Sequence, residues 1–63
     1  MESKIISIDR LSDRDKPLGE MLININNIIA VEPCEGGTKI TLNNGWVLYA
    51  SQSMSDLKHL IYG

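Results

Sequence analysis

The segment from Thr38 to Ser51, Thr-Lys-Ile-Thr-Leu-Asn-Asn-Gly-Trp-Val-Leu-Tyr-Ala-Ser, constrains the fold more than any other part of the chain. Asn44-Gly45 is a strong short hairpin signal, because both residues tolerate the positive φ that turns matched to strand twist require. β-Branched and aromatic side chains flank it on both sides and suit a pleated, half-buried surface. Two registers fit the spacing. A two-residue Asn44-Gly45 turn pairs Leu42 with Val47 and Ile40 with Tyr49. A three-residue Asn43-Asn44-Gly45 loop with a bulge pairs Leu42 with Trp46 and Ile40 with Leu48. A slip of one residue moves every side chain of the second strand to the opposite face. In either register both faces of the hairpin carry large apolar groups. A helix can cover one face, and the other calls for a partner.

The helix follows directly. Ser53-Met54-Ser55-Asp56 has capping-box spacing, with the acid at the third helical position. Met54, Leu57, Leu60 and Ile61 then recur at helical spacing as one apolar stripe. Lys58 and His59 complement the dipole in the last turn, and Gly63 ends the helix.

Upstream, Lys4 to Asp9 reads as a first strand with Ile6 and Ile8 on one face. Asp9 to Glu20 mixes Arg10, Asp13, Arg14, Asp15 and Lys16 with Pro17 and Gly19, and reads as a long exposed charged loop, residues 9–20. Glu20 to Asn24 is a second strand. Asn24-Ile25-Asn26-Asn27 is a turn or one short helical turn, because Asn side chains satisfy nearby backbone groups. Ile28 to Glu32 is a third strand, and Pro33-Cys34-Glu35-Gly36-Gly37 a turn that leads into the hairpin. The sum is a single domain, residues 1–63, of α+β class: a small curved antiparallel β-sheet of four to five strands with one C-terminal α-helix.

Size then bears on assembly. A chain of 63 residues buries only about 60% of the surface its unfolded form exposes, and such chains draw on disulfides, metal or a partner subunit. One cysteine, Cys34, allows no internal disulfide, and one histidine, His59, allows no His/Cys zinc cluster. Self-association is the expected source of further stability. A free cysteine and an N-terminus without a basic-then-apolar layout point to a reducing, cytoplasmic setting. The longest apolar region, Met21 to Val31, is interrupted by Asn24, Asn26 and Asn27, so membrane insertion is not expected.

Asn24-Ile25-Asn26-Asn27-Ile28-Ile29-Ala30-Val31-Glu32 resembles the Asn-x-x-x-Ile-x-x-Ile-Glu segment of the small flagellar-operon FlbD-like (SwrD-like) proteins. Thr38 to Gly45 looks like the Thr-x-Ile-Thr-Leu-x-x-Gly hairpin of that family, and Ser53 falls at its Ser-capped C-terminal helix. In that family the positions matching Leu48 and Ala50 are the apolar ones, which implies the three-residue hairpin register. The same strand-turn-strand-helix pattern occurs in the DNA-binding domain of LytTR-type response regulators. That similarity implies a second functional class, a nucleic-acid-binding regulatory module of bacterial or phage origin.

Catalytic and metal chemistry find little purchase. Ser55, Asp56 and His59 share one short helix, which encloses no pocket and offers no oxyanion site. Cys34 has neither a resolving cysteine nor a basic neighbour in sequence. Asp9-x3-Asp13-x-Asp15 with Gly19 does not have the spacing of a calcium loop, whose central Gly would fall on Arg14. No catalytic residue, metal site or cofactor is expected. The chain reads as a non-enzymatic protein-interaction module, an adaptor or regulator that self-associates, with Trp46, Leu48 and Tyr49 as the partner or subunit contact. On the alternative, nucleic-acid reading the contacts are Lys4, Arg10, Arg14, Lys16 and Lys39. The net charge of −2 and only six Lys and Arg weigh against that reading. A contiguous cluster of those five cations would favour nucleic acid, and an apolar patch around Trp46 would favour a protein.

Overall fold

A computed structural model describes residues 4–63. They form one five-stranded antiparallel sheet and one helix. The strands are β1 (Ile5–Leu11), β2 (Pro17–Asn24), β3 (Ile28–Cys34), β4 (Gly37–Leu42) and β5 (Val47–Ala50), and the helix is α1 (Met54–Tyr62). A single 3₁₀ turn, Ile25–Asn27, stands between β2 and β3. Strand order is β2-β1-β5-β4-β3, so β2 and β3 are the two edges. In a flat sheet those edges would lie about 19 Å apart, four spacings of about 4.8 Å. The three-residue 3₁₀ turn that joins them rises only about 6 Å. The sheet must therefore curl until its edges approach, although no ladder joins β2 to β3 among the described residues.

Alternation places the core on the inner side of that curl. Ile6 and Ile8 of β1, Ile23 of β2, Ile40 and Leu42 of β4, and Leu48 and Ala50 of β5 are buried there together with Leu57 of α1. Thr38 lies in the same layer and is fully buried. The outer face follows the opposite phase. One cross-strand row on it runs Leu11, Tyr49, Lys39 and Glu32.

The charged segment departs from the expected loop. Asp9 to Leu11 continue β1, and Pro17 to Glu20 open β2, leaving only the turn Ser12–Lys16. That turn is ordered by Ser12. Its Oγ accepts the backbone N–H of Arg14 at 3.2 Å and of Lys16 at 3.1 Å. The charged residues are compatible with strand because they sit on a two-stranded ribbon whose outer face meets water. Asp9 pairs with Glu20 there, and the Ser7 hydroxyl donates to Glu20 Oε2 at 2.6 Å. The Pro33–Gly37 turn also shrinks. Pro33 and Cys34 belong to β3 and Gly37 to β4, leaving Glu35 and Gly36 as the turn. Pro33 is tolerated because β3 is an edge, where one missing donor breaks no central ladder.

Other local features follow the sequence closely. Asn24 Oδ1 accepts the Asn26 N–H at 2.9 Å and caps the 3₁₀ turn. The hairpin adopts the three-residue register, with Ile40 opposite Leu48 and Thr41 opposite Val47. At α1, Ser53 Oγ accepts the Asp56 N–H at 3.1 Å, and Asp56 Oδ2 accepts the Ser53 N–H at 3.4 Å. Ser53→Ala is expected to cost about 1 kcal/mol, read as a lower midpoint in urea at unchanged slope; a shift below a third of that would mean the cap is not holding the helix.

Candidate functional site

Two exposed apolar features stand out, and both are positioned by the strand order. The first is the tip of the β4–β5 hairpin. Trp46 is 59% exposed and Val47 beside it 41%. The backbone that carries Trp46 is tightly held. Its N–H donates to Asn44 Oδ1 at 3.0 Å, and its carbonyl accepts the Leu42 N–H at 2.8 Å. The Gly45 N–H closes the turn onto the Leu42 carbonyl at 3.0 Å. Gly45 has φ 89, a conformation glycine adopts without strain. The Asn43 N–H donates to the Asn27 carbonyl at 2.8 Å, which ties the tip to the 3₁₀ turn. A large aromatic side chain thus stands in solvent on a backbone already ordered, so little entropy remains to be lost when it is covered.

Of the expected contact residues, Leu48 is placed elsewhere. It is only 1% exposed and packs in the core, because the three-residue register turns it to the inner side with Ile40. Tyr49 is half-buried on the outer face between Leu11 and Lys39. Of the contact expected from sequence, Trp46 and Tyr49 remain at the surface, and Val47, which was not expected, stands exposed beside Trp46.

The five cations are not brought together. Arg14 and Lys16 lie in the β1–β2 turn, interleaved with Asp13 and Asp15. Arg10 is in the adjoining part of β1 but faces inward, and its Nε is enclosed without a hydrogen-bond partner, as is Thr38 Oγ1 in the same cross-strand row through Ala50. Lys4 is at the other end of β1, about 26 Å from the turn at about 3.3 Å per residue, and its Nζ donates to the Ile61 carbonyl at 3.1 Å. Lys39 sits on the outer face between Glu32 and Tyr49. No single basic stripe results.

The second feature is a groove of about 390 Å³ between the β3 edge and α1. Ile28, Ile29, Ala30 and Val31 form one wall, and Met54, Leu57, Lys58, Ile61 and Tyr62 form the other. Ile29 is 66% exposed and Tyr62 85%. The sequence reading missed this groove. Its one local signal is the unbroken run Ile28-Ile29-Ala30-Val31, too apolar for a strand with one wet face.

The residues with chemical potential are spread out or already engaged. Asp56 is committed to the helix cap, while Ser55 and His59 are exposed on α1. Cys34 is a free, half-buried thiol at the end of β3. Among the described residues, no three His, Cys, Asp or Glu side chains gather where they could hold a metal ion. No helix among them is long and apolar enough to cross a membrane. Comparison of the chain with protein-family models, with curated proteins and with solved structures gave no match.

Proposed function

We propose that this chain is a small non-enzymatic protein-interaction module of the cytoplasm, an adaptor or regulator that also associates with itself. The observation that carries this reading is Trp46, exposed beside Val47 on a hairpin tip fixed by three backbone–backbone hydrogen bonds and one from the Trp46 N–H to the Asn44 side chain. Tryptophan at the centre of a contact contributes more binding energy than most residues, because it buries a large area at low entropic cost. The small core adds to the case. Among the described residues eight apolar side chains are buried, a modest core for a fold that must offset the ordering of its backbone. Seven large apolar side chains among the described residues stay exposed, including Leu18, Leu22 and Ile5 on the β1–β2 ribbon. The scattered cations favour a protein partner over nucleic acid, which calls for a basic stripe.

Trp46→Ala is the test. The side chain is mostly outside the core, so the isolated domain should keep its unfolding midpoint in denaturant within about 0.5 kcal/mol, as at other surface sites. Association, measured by dilution calorimetry, should weaken by about 2 kcal/mol. If the variant unfolds at every concentration, Trp46 supports the monomer itself and the reading loses its main support. Undiminished association would count against it equally.

A further inference from the structure

The groove between β3 and α1 has a chemistry that the hairpin tip lacks. β3 pairs with β4 on one side only. The backbone amides and carbonyls on its other side therefore have no strand to bond. That unpaired edge runs along the groove, and the opposite wall is the apolar side of α1. An extended chain laid against β3 would gain main-chain hydrogen bonds from the edge. Its alternate side chains would point to the inner side, between Val31, Leu57 and Ile61. Peptide addition to a sheet edge beside a helix works in this way, with backbone bonds supplying affinity and side-chain pockets supplying selection.

Charge narrows the occupant. Among the described residues, Lys58 is the one charged side chain lining the groove. It is exposed, and its ammonium favours a carboxylate on the helix side of any added strand. A second copy of this chain does not supply one. Its own edge strands carry Glu20 on β2 and Glu32 on β3. Both lie in the outer-face phase, opposite Asp9 and Lys39, away from the helix. A copy added to β3 in the plane of the sheet keeps that phase and leaves Lys58 unanswered. Pro33 withholds one donor from the edge, and the ladder is irregular between Ile28 and Ala30, so any added strand pairs over a short stretch only.

We infer that the β3–α1 groove binds an extended segment of a partner protein by strand addition, with apolar side chains at alternate positions and a carboxylate held by Lys58. The inference rests on the reading of the chain as a protein-interaction module, at a surface separate from Trp46. The carboxylate is either an acidic side chain or the end of the partner chain.

A display library of random peptides tests this. The expected selection is enriched in Val, Ile, Leu or Phe at every second position with one Asp or Glu. A selected peptide should perturb the amide resonances of Ile28 to Val31 and of α1. Methylating its backbone amides one at a time should abolish binding at alternate positions only. Lys58→Glu should lower its affinity by about tenfold, the weight of reversing one charge at a partly exposed pair, while Trp46→Ala leaves the affinity unchanged. Loss on amidating the peptide terminus identifies a terminal carboxylate, and retention identifies a side chain; either supports the inference. A library that yields no binder, a selection without acids, perturbations confined to the hairpin tip, or equal binding by Lys58→Glu would each overturn it. None of those results touches association through Trp46, so the two readings fail separately. Displacement of the peptide by a second copy as the protein is concentrated would also overturn it, in favour of an edge that pairs with itself.

Discussion

Gly37→Ala should destabilise the domain by about 3 kcal/mol, the upper end of what overpacking usually costs. Gly37 opens β4 opposite Cys34, where the chain passes close under the end of β5. A Cβ there would fall well inside contact with the Ala50 carbonyl oxygen, with the Ser51 carbonyl carbon also only 3.1 Å away. Both obstacles are backbone, so no rotamer change relieves them. Relief requires β4 and β5 to part at the Thr38–Ala50 pair, beside the fully buried Thr38 and Ala50. A domain of this length has a total stability of about 3 to 9 kcal/mol at 0.05–0.15 kcal/mol per residue, so the substitution should remove between about a third of that stability and all of it. Gly45→Ala is the control. Gly45 also has positive φ, but a Cβ there meets nothing within 4 Å. Its cost should be the backbone term alone, about 1 kcal/mol. Urea unfolding of both variants checks the pair. Equal losses would mean that backbone conformation, and not the approach of Gly37 to Ala50, sets the requirement.

Leu57→Ala should cost about 3 kcal/mol, within the range for emptying a packed core site. Leu57 is the one fully buried residue of α1. Leu60 and Ile61 pack against the same core and are half-buried, and Met54 and Ile61 line the groove. The helix has nine residues, too few to persist in water without tertiary support. Truncating its single anchor therefore removes packing and helix together. The loss should appear as a lower midpoint in urea, with the helical part of the far-ultraviolet spectrum melting in the same transition as the sheet. Leu60→Ala, at a half-buried position, should cost less than half as much. A helix that melts first in wild type, ahead of the sheet, would show that Leu57 does not couple the two.

What could be read from sequence, and what could not, divides along local and non-local physics. The Ser53 cap, the Asn24 turn and the apolar stripe of α1 depend on neighbours within four residues, and each stands where its spacing placed it. The register of the β4–β5 hairpin was open between two alternatives because both are sterically sound. Burial selects between them, since only the three-residue loop sends Leu48 and Ala50 inward with Ile40. The same selection removes Leu48 from the contact surface. The extent of β1 and β2 was hidden because Asp9, Arg10, Gly19 and Glu20 carry no β preference of their own. They are strand because each pairs across the ribbon. The groove was least legible of all. It exists because β3 is an edge and α1 returns beside it, and strand order is a property of the whole chain.

Trp46 offers an apolar surface for a partner to cover, and a second copy of the chain is the simplest partner to test. Sedimentation velocity of wild type and Trp46→Ala across the micromolar range is the direct measurement. Wild type should show a species of at least twice the 7.0 kDa chain mass that grows with concentration, and Trp46→Ala should sediment as the single chain at concentrations where wild type does not. A wild-type protein that remains a 7.0 kDa species throughout the range would contradict the account.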